Sequence, residues 1–242
     1  YSAISSTLTP SKLGGILTAV DQGDATEYLT LAEEMEERDS HYSSVLRTRK
    51  LAVSGLKVTV EAASDDKRDV EIADAVTKLT KSEHFRELLA DQLDALGKGY
   101  SVSEIMWDKS GSQWIPKNYV HRDPRFFIYD RLTGQELRLR DDEELKKNKD
   151  NSNGLALDPY KFIIHQPRIK TGMPIRGGLA RLVCVAFMCK SYTLRDWMTF
   201  AEVFGMPLRV GKYGATATEN QKAALLAAIT QIGTDAGAII PE

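Results

Sequence analysis

Apolar residues mark out the chain's elements before any motif does. Leu13, Ile16, Leu17 and Val20 recur at the spacing of one helical face, and the stripe stops near Gly23. A second helix is predicted to follow, with Thr26 as its N-cap and Tyr28, Leu31, Ala32 and Met35 on its apolar side. Glu33, Glu34, Glu36, Glu37 and Arg38 form the face expected to stay wet. After Asp39 a further helical stretch carries Tyr42, Val45 and Leu46 towards Gly55. Residues 57–61 alternate, with Val58 and Val60 on one side, and read as a short strand. Two more helices are predicted over 65–97. The first is striped by Val70, Ala73, Val76 and Leu79; the second starts at Ser82, uses Phe85, Leu88, Leu89, Leu93 and Leu96, and is ended by Gly97 and Gly99.

From 100 to 139 the period changes to two. Strands are predicted at 100–107, 113–115, 118–121, 125–130 and 135–139, with turns at Asp108-Lys109-Ser110-Gly111 and Leu132-Thr133-Gly134, as a meander packed on the preceding helices. Residues 141–154 offer almost nothing to bury and read as a mobile surface insertion. One more strand is predicted at 160–166. From 179 to 204 neither Gly nor Pro interrupts the chain, which predicts a helix of roughly 39 Å between the Gly177-Gly178 pair and Gly205-Met206-Pro207. Its first half is apolar on nearly every side, whereas its second half carries Leu194, Trp197, Ala201 and Phe204 at helical spacing. One end is therefore expected to be buried more completely, and Trp197, Phe200 and Phe204 are read as core, with packing between subunits as the alternative. An Ala- and Leu-rich helix is predicted over 216–233, led by Thr218-Glu219-Asn220.

Composition adds bounds rather than identity. With 42% hydrophobic and 27% charged residues the 242-residue chain is ordinary for a globular protein. No apolar run is long enough to span a membrane, since Lys190 interrupts the longest, and no signal-peptide pattern opens the chain, so assembly in the cytosol is expected. The start at Tyr1 and the strand-like end Ile239-Ile240-Pro241-Glu242 read as trimmed termini. Acidic residues number 34 against 32 basic ones, which lacks the surplus of a tightly clamping DNA binder. Cys184 and Cys189, five positions apart on the helix, point about 140° apart and cannot pair with each other. Both read as small buried hydrophobes.

Chemistry-bearing motifs are few. Gly205 to Tyr213 includes Gly-Lys-Tyr where a phosphate loop needs Gly-Lys-Ser or Gly-Lys-Thr, has one residue too many, and follows a helix instead of opening one. No nucleophile elbow, zinc-protease helix or dinucleotide fingerprint occurs. The carboxylate pairs Asp141-Asp142, Glu143-Glu144, Glu33-Glu34 and Glu36-Glu37 lie in polar runs and read as solvated. His165 reads as a strand-end histidine, and Glu202 as meeting water or a basic partner, with Arg195 seven positions earlier on the same face. The sequence points to no cofactor, no metal site and no catalytic residue.

The order of several segments carries a resemblance. Pro174-Ile175-Arg176-Gly177-Gly178, the long helix, then Trp197, Phe200, Glu202 and Phe204-Gly205-Met206-Pro207 resemble the portal proteins of Mu-like tailed bacteriophages. Asp39-Ser40-His41, Val45, Arg49-Lys50, Ala52-Val53 and Gly55 sit where that family has its acidic, histidine and arginine-lysine signature, and Gly99 to Trp107 is similar to its glycine-to-tryptophan strand.

The resemblance implies a mixed α/β fold of the α+β kind, portal-like, with a helix-and-β-meander wing and a long stem-like helix. The corresponding parts are a wing-like body at 1–139, a clip-like insertion and strand at 140–173, and the stem-like helix with its following segment at 174–242. It further implies a non-enzymatic, ring-forming structural conduit for packaging and ejecting double-stranded DNA. The partners implied are further copies of the chain in a dodecameric cyclic homo-oligomer, the DNA, terminase, the major capsid protein and head-completion or neck proteins, with no membrane. Its place would be the virion's capsid vertex, after assembly in the bacterial host cytoplasm. Arg168, Lys170, Arg176 and Arg181, four cations within fourteen positions, become candidates for channel lining or subunit contact. A metal-dependent DNA-processing enzyme and a monomeric head-completion or adaptor protein stay open as alternatives.

Overall fold

Thr9 opens the first helix, α1 (Pro10–Asp21), by accepting a hydrogen bond from the Lys12 amide, with Pro10 at the position where its missing N–H costs nothing. The computed structural model describes residues 4–111, 114–130, 133–141, 154–205, 209–230 and 237–241. Helix α1 buries Leu13, Ile16 and Val20, and α2 (Thr26–Arg38) buries Tyr28, Leu29, Leu31, Ala32 and Met35. Thr26 is the first residue of α2 rather than its cap. Its amide and hydroxyl both donate to Asp24, two residues earlier, while the N-cap position itself is Ala25 and has no side-chain cap. Asp39 caps α3 (Ser40–Ser54) through the His41 and Tyr42 amides.

The acidic face of α2 is drier than its charge suggested. Glu34 accepts the Ile4 and Ser5 amides, Glu36 pairs with Lys50, and Glu33 pairs with Arg125. Residues 57–61 belong to no sheet; Val58 has no neighbouring strand to pack beside and is exposed. The next helix, α4 (Lys67–Thr80), has no fully buried residue. Ser82 caps α5 (Glu83–Gln92) by accepting from the Phe85 amide, and α6 (Ala95–Lys98) adds one turn before Gly99 reverses the chain at φ 105°.

The strands do not form a single meander. Strand β1 (Ser101–Asp108) is central in a three-stranded antiparallel sheet, with β2 (Ile115–Arg122) on one side and β5 (Phe162–His165) on the other. Strands β3 (Phe127–Tyr129) and β4 (Leu137–Leu139) pair separately. The reason lies in the burial of β1. Ser101, Val102 and Ser103 are fully buried, so this strand's backbone needs partners on both edges. Its two serines are satisfied by α5: Ser101 donates to the Asp91 carbonyl and Ser103 accepts from Gln92. The insertion predicted at 141–154 lies almost wholly outside the described residues, but its flanks are pinned, since Leu139 and Leu155 exchange both backbone hydrogen bonds at 2.8 Å.

The chain divides into two units, Tyr1–Met188 and Cys189–Glu242, and the helix Leu179–Phe204 crosses the division. In the second unit β6 (Arg209–Tyr213) and β7 (Gly237–Pro241) pair in parallel, joined through the helix Glu219–Thr230. The strand-like chain end is thus paired. The predicted helical tail ends at Thr230, and the rest of its range to 233 lies outside the described residues, as do Met206 and Pro207. Gly211 lies under that helix, where a Cβ would collide with Ile229. The fold class is mixed α and β, as the sequence pattern predicted.

Candidate functional site

The start of the long helix is the most constrained place in the first unit. A 3-10 turn at Pro174–Gly177 leads into it, with Ile175 fully buried, and Gly178 is extended. The turn sits on the corner between α6 and β1: a Cβ on Gly99 would fall 2.8 Å from the Ile175 carbonyl oxygen, and one on Gly178 would fall 2.6 Å from that of Gly97. With no Cβ on Gly99 against Ile175 and none on Gly178 against Gly97, the helix begins directly on this corner. Tyr100 donates to the Pro124 carbonyl at 2.6 Å and meets Tyr129 edge-on at 5.4 Å, and Tyr129 accepts from Gln166 at 3.0 Å.

The four candidate cations separate into two pairs. Arg176 and Arg181 converge on Asp21, the last residue of α1, at 3.5 and 3.0 Å. A carboxylate at a helix C-terminus opposes the helix dipole, and the two guanidiniums offset it. Arg181 is the more enclosed, with a side chain 15% exposed against 41% for Arg176. Asp21 was not singled out in the sequence, because nothing in its neighbourhood there distinguishes it from any helix-end aspartate. Arg168 and Lys170 are exposed and make no ion pair among the described residues. They border a shallow cavity of about 450 Å³ together with Gln135, Gln166 and Thr171.

Beyond its start the helix divides as the pattern suggested, but one expectation is overturned. Ala180, Cys184, Phe187 and Met188 are buried in the first half. Trp197, Phe200 and Phe204, read as core, are instead more than half exposed, and so are Met198 and Val203. Phe200 and Phe204 meet along the helix, with ring centroids 4.8 Å apart. Cys189 is likewise exposed, unlike Cys184, whose thiol burial pushes up above its ordinary value. Arg195 lies over the Tyr192 ring, 4.8 Å from its centroid. Burial holds the His165 imidazole below its usual range. Among the described residues, no three His, Cys, Asp or Glu side chains stand close enough to hold a metal ion, and no helix is long and apolar enough to cross a membrane.

The long helix thus carries exposed apolar residues in its second half, Trp197, Met198, Phe200, Val203 and Phe204 among them. Comparison with known proteins identifies the family. Residues 29–242 match the family described as the portal protein of Mu bacteriophage, and the chain belongs to that family. It is 36% identical over 241 residues to the portal protein of Escherichia phage Mu, covering 98% of this chain and 45% of that protein. It is also 36% identical over 240 residues to the Mu-like prophage FluMu protein gp29 of Haemophilus influenzae, covering 97% of this chain and 44% of that one. The chain therefore spans less than half the length of these relatives.

Proposed function

We propose that this chain is the part of a phage portal protein that builds the wing-like body and a long stem-like helix of a closed ring at the capsid vertex. Double-stranded DNA passes through that ring during packaging and ejection. The observation that carries the reading is the family match over residues 29–242, extending through body and helix alike. The role is structural: head-to-tail interfaces close the ring, and a separate terminase supplies the ATP-driven work. Its other partners are the major capsid protein at the vertex and head-completion or neck proteins beyond it. Assembly takes place in the bacterial host cytoplasm, and the finished location is the virion. The 140–154 insertion, read as clip-like, is a contact for packaging and neck proteins.

Within this reading Arg168 and Lys170 are the candidates for touching DNA or a neighbouring subunit, being exposed and without an ion pair among the described residues. Arg176 and Arg181 hold the helix start on Asp21, and Arg176, the more exposed, keeps a free side for a neighbour. Native mass spectrometry and negative-stain imaging of the full-length protein test the proposal. A ring of fixed copy number, twelve in the family's usual form, is expected; a strict monomer at high concentration, or metal-dependent nuclease activity in its place, would overturn it. Arg176→Glu that leaves both ring formation and DNA packaging unchanged would remove that residue from the contact set.

A further inference from the structure

Beyond the end of α3 the body leaves a strand-like segment unused and an apolar floor uncovered. Residues 57–61 alternate Val58 and Val60 with polar neighbours, yet they lie in no helix or sheet. Their backbone makes no hydrogen bond to the protein among the described residues. Alternating β-branched residues are the pattern of a strand with one face packed. Beside this segment runs a groove of about 470 Å³, whose apolar lining is Leu56, Val58, Phe85 and Leu89. Leu56 is 67% exposed and Val58 46%, so the groove is open to water along that side.

The rim of the groove is cationic. Lys57, Lys81 and Arg86 line it and no Asp or Glu does, and none of the three makes an ion pair among the described residues. Lys57 and Lys81 follow the ends of α3 and α4, where a cation offsets the helix dipole. Arg86 has no such reason to be there: it stands in the first turn of α5, the end at which the dipole favours acids. An unpaired guanidinium in that place, beside an apolar floor, suits a carboxylate brought by another chain. Three cations are few for duplex DNA, where binders commonly neutralise about six to ten phosphates, and a phosphate backbone offers nothing apolar to Val58 and Phe85.

We infer that this groove docks an extended acidic segment of a partner protein. The segment's backbone pairs with that of residues 57–61 as an added strand. Its apolar side chains, at every second position, rest on Val58, Phe85 and Leu89, and the carboxylates at the positions between them reach Lys57, Lys81 and Arg86. Backbone pairing supplies affinity whatever the sequence, while the alternation and the charge select the partner. The inference goes beyond the ring proposed above and does not depend on it.

The test uses the full-length protein and a fluorescein-labelled peptide, Glu-Val-Asp-Val-Glu-Val-Asp, read by fluorescence anisotropy and by hydrogen exchange at residues 57–61. The peptide is expected to bind and to slow exchange at those amides. A peptide with Lys for each acid, one with Ser for each Val, and a duplex oligonucleotide are each expected to bind about tenfold more weakly or not at all. Arg86→Glu keeps the fold, since an acid in the first turn suits the helix dipole, and is expected to weaken binding about tenfold or more. Val58→Asp is expected to do the same, while Lys12→Glu, the same charge change placed on α1, leaves binding as it was. No binding of the acidic peptide, binding that survives both Arg86→Glu and Val58→Asp, or unchanged exchange at 57–61 overturns the docking site. Tighter binding of the oligonucleotide overturns it in favour of a nucleic-acid contact. Slow exchange at 57–61 in the assembled protein without any peptide overturns it in favour of a second copy of the chain.

Discussion

Gly178 lies so close to Gly97 that a Cβ on it would fall 2.6 Å from the Gly97 carbonyl oxygen and 2.7 Å from the Lys98 carbonyl carbon. Both obstacles are backbone, which cannot swing aside as a side-chain tip could. Gly178→Ala is therefore expected to force the helix start off the α6–β1 corner and cost about 1–3 kcal/mol, the range for overpacking a closed contact. Gly14→Ala is the internal control: it sits inside α1 with nothing within 4 Å of the added methyl, and is expected to stabilise by about 0.5–1 kcal/mol. Thermal or urea unfolding of the two variants beside the parent separates a steric cost from a generic glycine effect. Equal behaviour of both would remove the close-approach argument.

Asp21 is expected to matter more than either arginine it holds. Removing it leaves the enclosed Arg181 guanidinium without its carboxylate, and the Nη1 of that group is already buried without a hydrogen-bond partner. Asp21→Ala is expected to cost about 1–3 kcal/mol. Arg176→Ala, with both partners about two-fifths exposed, is expected to cost no more than about 1 kcal/mol. A double-mutant cycle on Asp21 and Arg181 by urea unfolding measures the coupling directly, and a coupling near zero would mean the pair is incidental.

What the sequence disclosed and what it withheld follow from how local each cause is. The long helix was legible to its ends, because an uninterrupted run between glycines needs no tertiary information. The Asp39 and Ser82 helix starts were legible for the same reason. The pairing of β1 with β5 was not, since alternation predicts a strand but not which strand lies beside it. Nor was the Asp21 contact, which joins residues 160 positions apart. Trp197, Phe200 and Phe204 show the same limit from the other side: helical spacing marks a face for burial without saying whether the chain itself buries it.

Acid is expected to loosen the corner where α3, α6 and the helix start meet. Burial alone would raise the Asp94 carboxyl, but Lys98 at 2.8 Å and Lys50 at 3.1 Å outweigh it and hold the group below its ordinary 3.8. Glu104 is held low in the same sense, its burial outweighed by Arg122 and Lys161. A carboxylate whose folded value lies below its unfolded one contributes stability above the unfolded value, and that contribution is lost as pH falls through the folded value. Urea midpoints are thus expected to be flat from pH 7 to about 5 and to fall from about pH 4 downwards. Asp94→Asn is expected to lower the midpoint at pH 7 and flatten the acid limb. Asp91, raised chiefly by burial, has the opposite sign and offsets part of that loss as pH falls, so Asp91→Asn is expected to raise the midpoint at pH 7 and to steepen the acid limb. A wild-type midpoint unchanged at pH 3 would count against any role for these pairs.

The two cysteines are expected to react at very different rates. Cys184 is fully buried, and its thiol donates to the Arg181 carbonyl at 3.1 Å, so it has neither the thiolate nor the access that reaction requires. Cys189 is exposed. A thiol reagent is therefore expected to modify one cysteine quickly and the second only as the protein unfolds. Rapid labelling of both thiols in the native protein would contradict the burial of Cys184.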